Sequence, residues 1–192
     1  MRSNYLLSIG KLILFLILLC FAVKFTQTFM QELKTCEDFD TSVFYFSILF
    51  PFLFYTFVGD LNNVYYKVQK FFFRSDFFSL VFPSLLVISA ISFFIFPKLF
   101  NFSFDKRFFI LTGGIFFIIH LIFVARNIKS SSFVGFSGYL LNFTLIYLLT
   151  LLLLVVYFNI NFKLSFGEII QTGTKKGVIL LKQISSQLFV KE

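Results

Sequence analysis

The sequence predicts an all-α fold: a polytopic bundle of about five transmembrane helices followed by a C-terminal amphipathic helix. Three observations predict it. Hydrophobic residues fill 58% of the 192 positions and charged residues only 14%, against roughly 45–50% and about 25% in a soluble domain. Five apolar stretches approach the roughly 20 residues that cross about 30 Å of hydrocarbon. Those stretches are continuously apolar, whereas strands of a membrane barrel alternate apolar and polar side chains.

The first stretch covers 5–29 and is interrupted by Lys11 and Lys24. Both can snorkel to opposite interfaces while 12–23 crosses the hydrocarbon. No small-x-small cleavage pattern follows it, so a retained helix is expected. The second stretch covers 43–58, the third 77–96 and the fourth 108–125. Pro97 is expected to help end the third. The fifth, 139–160, contains no charge at all. The separators are short and polar, and a glycine-containing loop is expected up to Gly138. In the tail, Val178, Leu181, Ile184 and Leu188 recur at helical spacing among polar residues. An amphipathic helix at the interface or on the bundle follows. The domain organisation is therefore a helix bundle over 1–162 and an amphipathic tail over 163–192. The acidic first loop, with Glu32, Glu37, Asp38 and Asp40, favours an N-terminus on the cytoplasmic side.

The 35 phenylalanines are expected to face lipid and pack helices, because the bilayer accepts Phe at any depth. The net charge of +8 is spread between the apolar segments with no basic run of five or more, which fits anionic headgroups and not nucleic acid. Cys20 and Cys36 form neither a disulfide framework nor a metal-ligand spacing.

Polar residues in or beside membrane helices are costly and mark sites by default. They are Asp60, Asn62 and Asn63 at the end of the second segment, His120 in the fourth, Arg126 at its end, and Asn142 in the fifth. His120 is the only histidine, and its neighbours are apolar on both sides. A buried imidazole needs a partner, so an interhelical hydrogen bond is expected, with a proton-relay or ligand role as the alternative. Asp60 and Arg126 end two segments on one face of the membrane in a five-crossing topology. They are placed either to pair or to be solvated separately. A catalytic zinc takes three protein ligands, and this set does not supply them. Gly135-Phe136-Ser137-Gly138 has the outline of a serine turn, but no histidine follows it. No catalytic residue, metal or cofactor is expected.

The aromatic run 50–58 with Gly59-Asp60-Leu61-Asn62-Asn63, the stretch 74–83, and His120-Leu121 with the serines at 130–132 and Gly138-Tyr139 together resemble a small bacterial membrane branch of the site-2-protease-like zinc metalloproteases. The aromatic run 50–58 leads into Gly59-Asp60-Leu61-Asn62-Asn63, where that branch carries G-H-E-L-x-H on a membrane helix. The stretch 74–83 resembles its polar turn, Phe-Phe and membrane proline. His120-Leu121, the serines at 130–132 and Gly138-Tyr139 resemble its H-L helix, polar loop and G-Y opening. If Leu61 matches the motif leucine, Asp60 stands at the general base, and Gly59 and Asn63 stand at the two zinc histidines. Gly59 cannot ligate and Asn63 is a poor zinc ligand, so the resemblance implies a non-catalytic relative.

The expected function is therefore a non-enzymatic integral membrane scaffold, or a small subunit that binds a membrane-protein partner or a further copy of itself. One alternative is an inactive site-2-protease-like protein that keeps peptide binding. Another is a small transporter or channel component using Asp60, His120 and Arg126. The expected location is a bacterial inner membrane, with an organellar membrane as the alternative.

Overall fold

The structure, a computed structural model, describes residues 2–100, 104–128, 133–162 and 164–189, and every regular element among them is a helix. In chain order these are α1 (Arg2–Thr35), α2 (Thr41–Phe57), α3 (Asn62–Phe72), α4 (Asp76–Val81), α5 (Ser84–Phe100), α6 (Lys106–Asn127), α7 (Phe133–Phe162) and α8 (Phe166–Phe189). Three are long and apolar enough to cross a membrane, over Tyr5–Thr35, Lys106–Asn127 and Gly135–Ile160. The chain is an all-helical membrane protein. The pair α2 and α3 makes a fourth such span if taken together, and α5 is a shorter apolar helix.

Each of the five apolar stretches becomes helical; the third is broken, and the separator after the second forms a helix of its own. Helix α2 is capped by Asp40, whose Oδ1 accepts from the backbone N–H of Ser42 at 3.1 Å and of Val43 at 3.2 Å. These are donors that a helix start otherwise leaves open. At its other end the chain turns by 118° into α3, and Asp60 Oδ1 accepts from the Asn62 N–H at 2.8 Å. The third stretch splits into α4 and α5 at Phe82 and Pro83. Phe82 is extended, with φ −102° and ψ 120°, as the residue before a proline prefers. Pro83 has no N–H to continue the ladder. Pro97, expected to help end this helix, lies inside α5, which runs three residues further.

Helix α6 begins where Asp105 Oδ1 accepts from the Arg107 N–H at 2.9 Å. Helix α7 starts at Phe133, so Gly135-Phe136-Ser137-Gly138 is helical and not the expected loop. Residues 130–132, the polar loop of the protease resemblance, lie outside the described residues.

The chain forms two compact units, and neither is confined to the tail. The first holds Met1–Glu32, Ile128–Leu148 and Ser165–Glu192; the second holds Leu33–Asn127 and Leu149–Leu164. In the first unit, α1 meets the start of α7 through a buried Ser8–Ser137 hydroxyl contact of 2.8 Å and a Thr26–Tyr147 contact of 2.7 Å. Helix α8 packs on α1 through two glycines one turn apart. A Cβ at Gly173 would stand 2.9 Å from the Phe25 ring, and one at Gly177 would stand 2.6 Å from the Phe21 ring. Small residues at this spacing let helix backbones approach closely. Lys176 Nζ donates to Gln31 Oε1 across the same pair of helices at 2.9 Å.

In the second unit, α2 and α6 run parallel, tied at both ends. Lys106 meets Asp38 at 2.7 Å and Arg107 meets Asp40 at 3.3 Å at their N-terminal ends. Arg126 meets Asp60 at 2.5 Å, and Asn127 Nδ2 reaches Asn62 Oδ1 at 3.4 Å, at their C-terminal ends. Midway, Gly114 faces the buried Ser47 so closely that a Cβ would fall 1.8 Å from its Oγ. An aromatic core closes the unit. Phe109 stacks on Tyr157 with centroids 4.0 Å apart, and Phe39, Phe44, Phe93 and Phe158 join them edge-on. Such edge-to-face and offset pairs add to the burial of apolar area.

Candidate functional site

The interior of the second unit holds a polar cluster built from three helices and a break. Tyr65 and Gln69 sit one turn apart on α3, so both project from one face. His120 comes from α6, and Ser84 opens α5 beside the Tyr65 hydroxyl. His120 and Gln69 are fully buried, and Tyr65 and Ser84 are nearly so.

The break at Pro83 explains why a glutamine lies here. Gln69 Nε2 donates to the Phe82 carbonyl at 3.1 Å, supplying a hydrogen bond at the break in the helix. Backbone polar groups at membrane depth must be satisfied by protein. The same amide nitrogen donates to the Tyr65 hydroxyl at 2.6 Å. That oxygen is 2.9 Å from His120 Nδ1.

Donor and acceptor roles follow from this chain. With Gln69 donating to Tyr65, the Tyr65 hydroxyl has its own proton for Nδ1. Nδ1 is then the acceptor, and the neutral ring carries its proton on Nε2. Nε2 has no hydrogen-bond partner, although the Leu80 backbone lies alongside the ring, and Gln69 Oε1 is also without one. The relay Gln69–Tyr65–His120 ties α3, the α4–α5 break and α6 together. Rings from Tyr65 and Phe123 lie against the imidazole.

The other predicted residues divide between two places. Asp60, Asn62 and Arg126 come together at the C-terminal ends of α2 and α6, where the ion-paired side chains of Arg126 and Asp60 remain 45% and 56% exposed. The Tyr55 ring lies 5.3 Å from the Arg126 guanidinium. The Asn62 N–H holds the Asp60 carboxyl below the usual carboxylate range, and Arg126 adds to this. Asn63 is exposed at the start of α3 and joins neither group. Gly59 lies in the break and Asn63 on α3, so these two do not share one helix. Asn142 is exposed on α7, in the first unit, and no partner is described for its amide. Among the described residues no three His, Cys, Asp or Glu side chains converge as a metal site would require.

Tyr65, Gln69 and Ser84 were not singled out by sequence. The available signal was Tyr65 and Gln69 at helical spacing in a stretch otherwise read as a separator. Comparison with protein-family models, with curated proteins and with solved structures finds no match to this chain.

Proposed function

We propose that this chain is a non-enzymatic, multi-pass integral membrane protein acting as a scaffold or small subunit of a membrane complex, most simply in a bacterial inner membrane. The observation that carries this reading is Asn142. Its carboxamide is exposed on the apolar span Gly135–Ile160. It stands seven residues inside the span, about 10 Å from its start at 1.5 Å per residue. Lipid tails offer an amide no hydrogen bond, whereas a polar group on a neighbouring transmembrane helix does.

The remaining polar candidates support the same reading. Asp60 is engaged by Arg126, and His120 is engaged by Tyr65. A transport pathway through Asp60, His120 and Arg126 would first have to dismantle both arrangements. The polar groups that hold the second unit together are thus paired within the chain, whereas Asn142 stands exposed within an apolar span.

Affinity purification from native membranes in mild detergent tests the proposal. A fixed membrane-protein partner, or a defined homo-oligomer, should co-purify in constant ratio. Asn142→Leu should weaken that association by about 0.6–2 kcal/mol, the range for one interhelical polar contact. A clean monomer from both proteins contradicts the reading.

A further inference from the structure

Two cavities meet at Arg107 where α2 and α6 begin. One is an apolar groove of about 440 Å³ between the first turns of these helices, lined by Val43, Phe46, Phe108 and Leu111, with Ser42 and Arg107 at its mouth. The other, also about 440 Å³, is polar and is lined by Glu37, Asp38, Asp40, Asp105, Lys106 and Arg107. Both volumes fall within the range of small-molecule sites. Lys106 is also the first residue of a membrane-spanning segment. The mouth therefore lies at headgroup level, and Phe46 and Leu111 lie one helical turn deeper.

We propose that this double cavity binds one phospholipid with an ethanolamine headgroup. An acyl chain fills the apolar groove, the phosphate meets Arg107, and the ammonium enters the acidic recess. The charges select this chemistry. The recess presents four carboxylates against two cations, so a simple anionic headgroup meets net repulsion. A zwitterion places its negative phosphate on the guanidinium shared by both cavities and its positive end among the carboxylates. A primary ammonium has N–H donors for those carboxylates, as lysine does, and a quaternary ammonium has none. The ion pairs already present, Lys106–Asp38 and Arg107–Asp40, lie at the surface, Asp40 being the most covered of the four side chains. Such pairs contribute little and can open to admit the headgroup.

Native mass spectrometry of the purified full chain tests this with phosphatidylethanolamine, phosphatidylcholine and phosphatidylglycerol offered in equal amounts. One ethanolamine lipid per chain should be retained, about tenfold over the other two, as one charge-assisted contact allows. A phosphatidylethanolamine with a photoreactive acyl chain should label peptides containing 43–46 and 108–111. Leu111→Trp should fill the groove and abolish retention, and Glu37→Gln with Asp38→Asn should erase the headgroup preference. Equal retention of the three lipids, preference for the glycerol headgroup, or labelling elsewhere overturns the proposal. So does undiminished retention by a folded Leu111→Trp protein. If that variant does not fold, the competition and labelling of the unaltered chain decide the matter.

Discussion

At the residue scale the buried relay makes a prediction about additivity. Removing one member strands the polar group it satisfied, and a stranded buried group costs about 1–3 kcal/mol. Gln69→Leu should therefore destabilise the protein by about that amount, since it deprives both the Phe82 carbonyl and the Tyr65 hydroxyl. His120→Leu should do the same by leaving the Tyr65 hydroxyl proton without an acceptor. Combining His120→Leu with Tyr65→Phe should cost less than the two single losses summed, because no partner is left stranded between them. Unfolding midpoints in denaturing detergent measure all of these, and strict additivity would mean that the side chains do not act as a relay.

The exposed pair at the ends of α2 and α6 behaves differently. The Asp60 carboxyl titrates below its ordinary range because the Asn62 N–H and Arg126 favour its charged form. Its contribution is present above the unfolded pKa and is lost as pH falls through the depressed folded value. Acid should therefore narrow the stability difference between the native chain and Asp60→Asn, and a difference that stays constant with pH would contradict this. His120 was legible in the sequence because a lone imidazole in an apolar run must find a partner. Its partners were not, because Tyr65 and Gln69 sit among charged residues that look solvated until α3 folds back onto α6.

At the element scale the contact between α2 and α6 depends on Gly114 and Ser47. A Cβ at position 114 would meet Ser47 Oγ at 1.8 Å and Ser47 Cβ at 2.7 Å. The obstructing side chain is fully buried, so Gly114→Ala should overpack the contact and cost about 1–3 kcal/mol. Adding Ser47→Gly removes both obstructing atoms and leaves the nearest backbone carbon at 3.5 Å. The double variant should recover most of the loss, less about 1 kcal/mol for a glycine inside a helix. Unfolding in detergent checks this; a double variant no better than the single one would place the strain elsewhere.

Helix existence was readable at this scale because apolar length fixes it, but continuity was not. A hydropathy pattern does not register that Pro83 lacks an N–H, or that Phe82 is pushed into an extended conformation before it. Pro97 carries the same chemistry and sits inside α5. The proline's place in the helix, and whether a side chain such as Gln69 can satisfy what a break frees, decide which proline breaks a helix. The start of α7 shows the converse error. Its glycines and serines look like a loop, yet Ser137 is buried and bonded to Ser8. Small residues in a membrane helix mark close packing as readily as a turn.

At the scale of the whole molecule, the lipid-adapted body was legible from composition alone, because so little charge cannot clothe a soluble surface around so many phenylalanines. The division into two compact units was not legible. It depends on α8 returning to α1 through Gly173 and Gly177, and on α7 lending its two halves to different units. Charges at the helix ends, a buried relay and the outward-facing amide of Asn142 describe a protein whose polar chemistry holds helices together. On the function proposed above, the outward-facing amide of Asn142 meets another protein. A photo-crosslinking residue at Leu145, exposed one turn along α7 from Asn142, leaves that amide in place and, activated in native membranes, reports what it meets. One discrete protein adduct of fixed mass is expected, and its yield should fall when Asn142→Leu is added to the same protein. Adducts with lipid alone, or a smear with no discrete species, would contradict it.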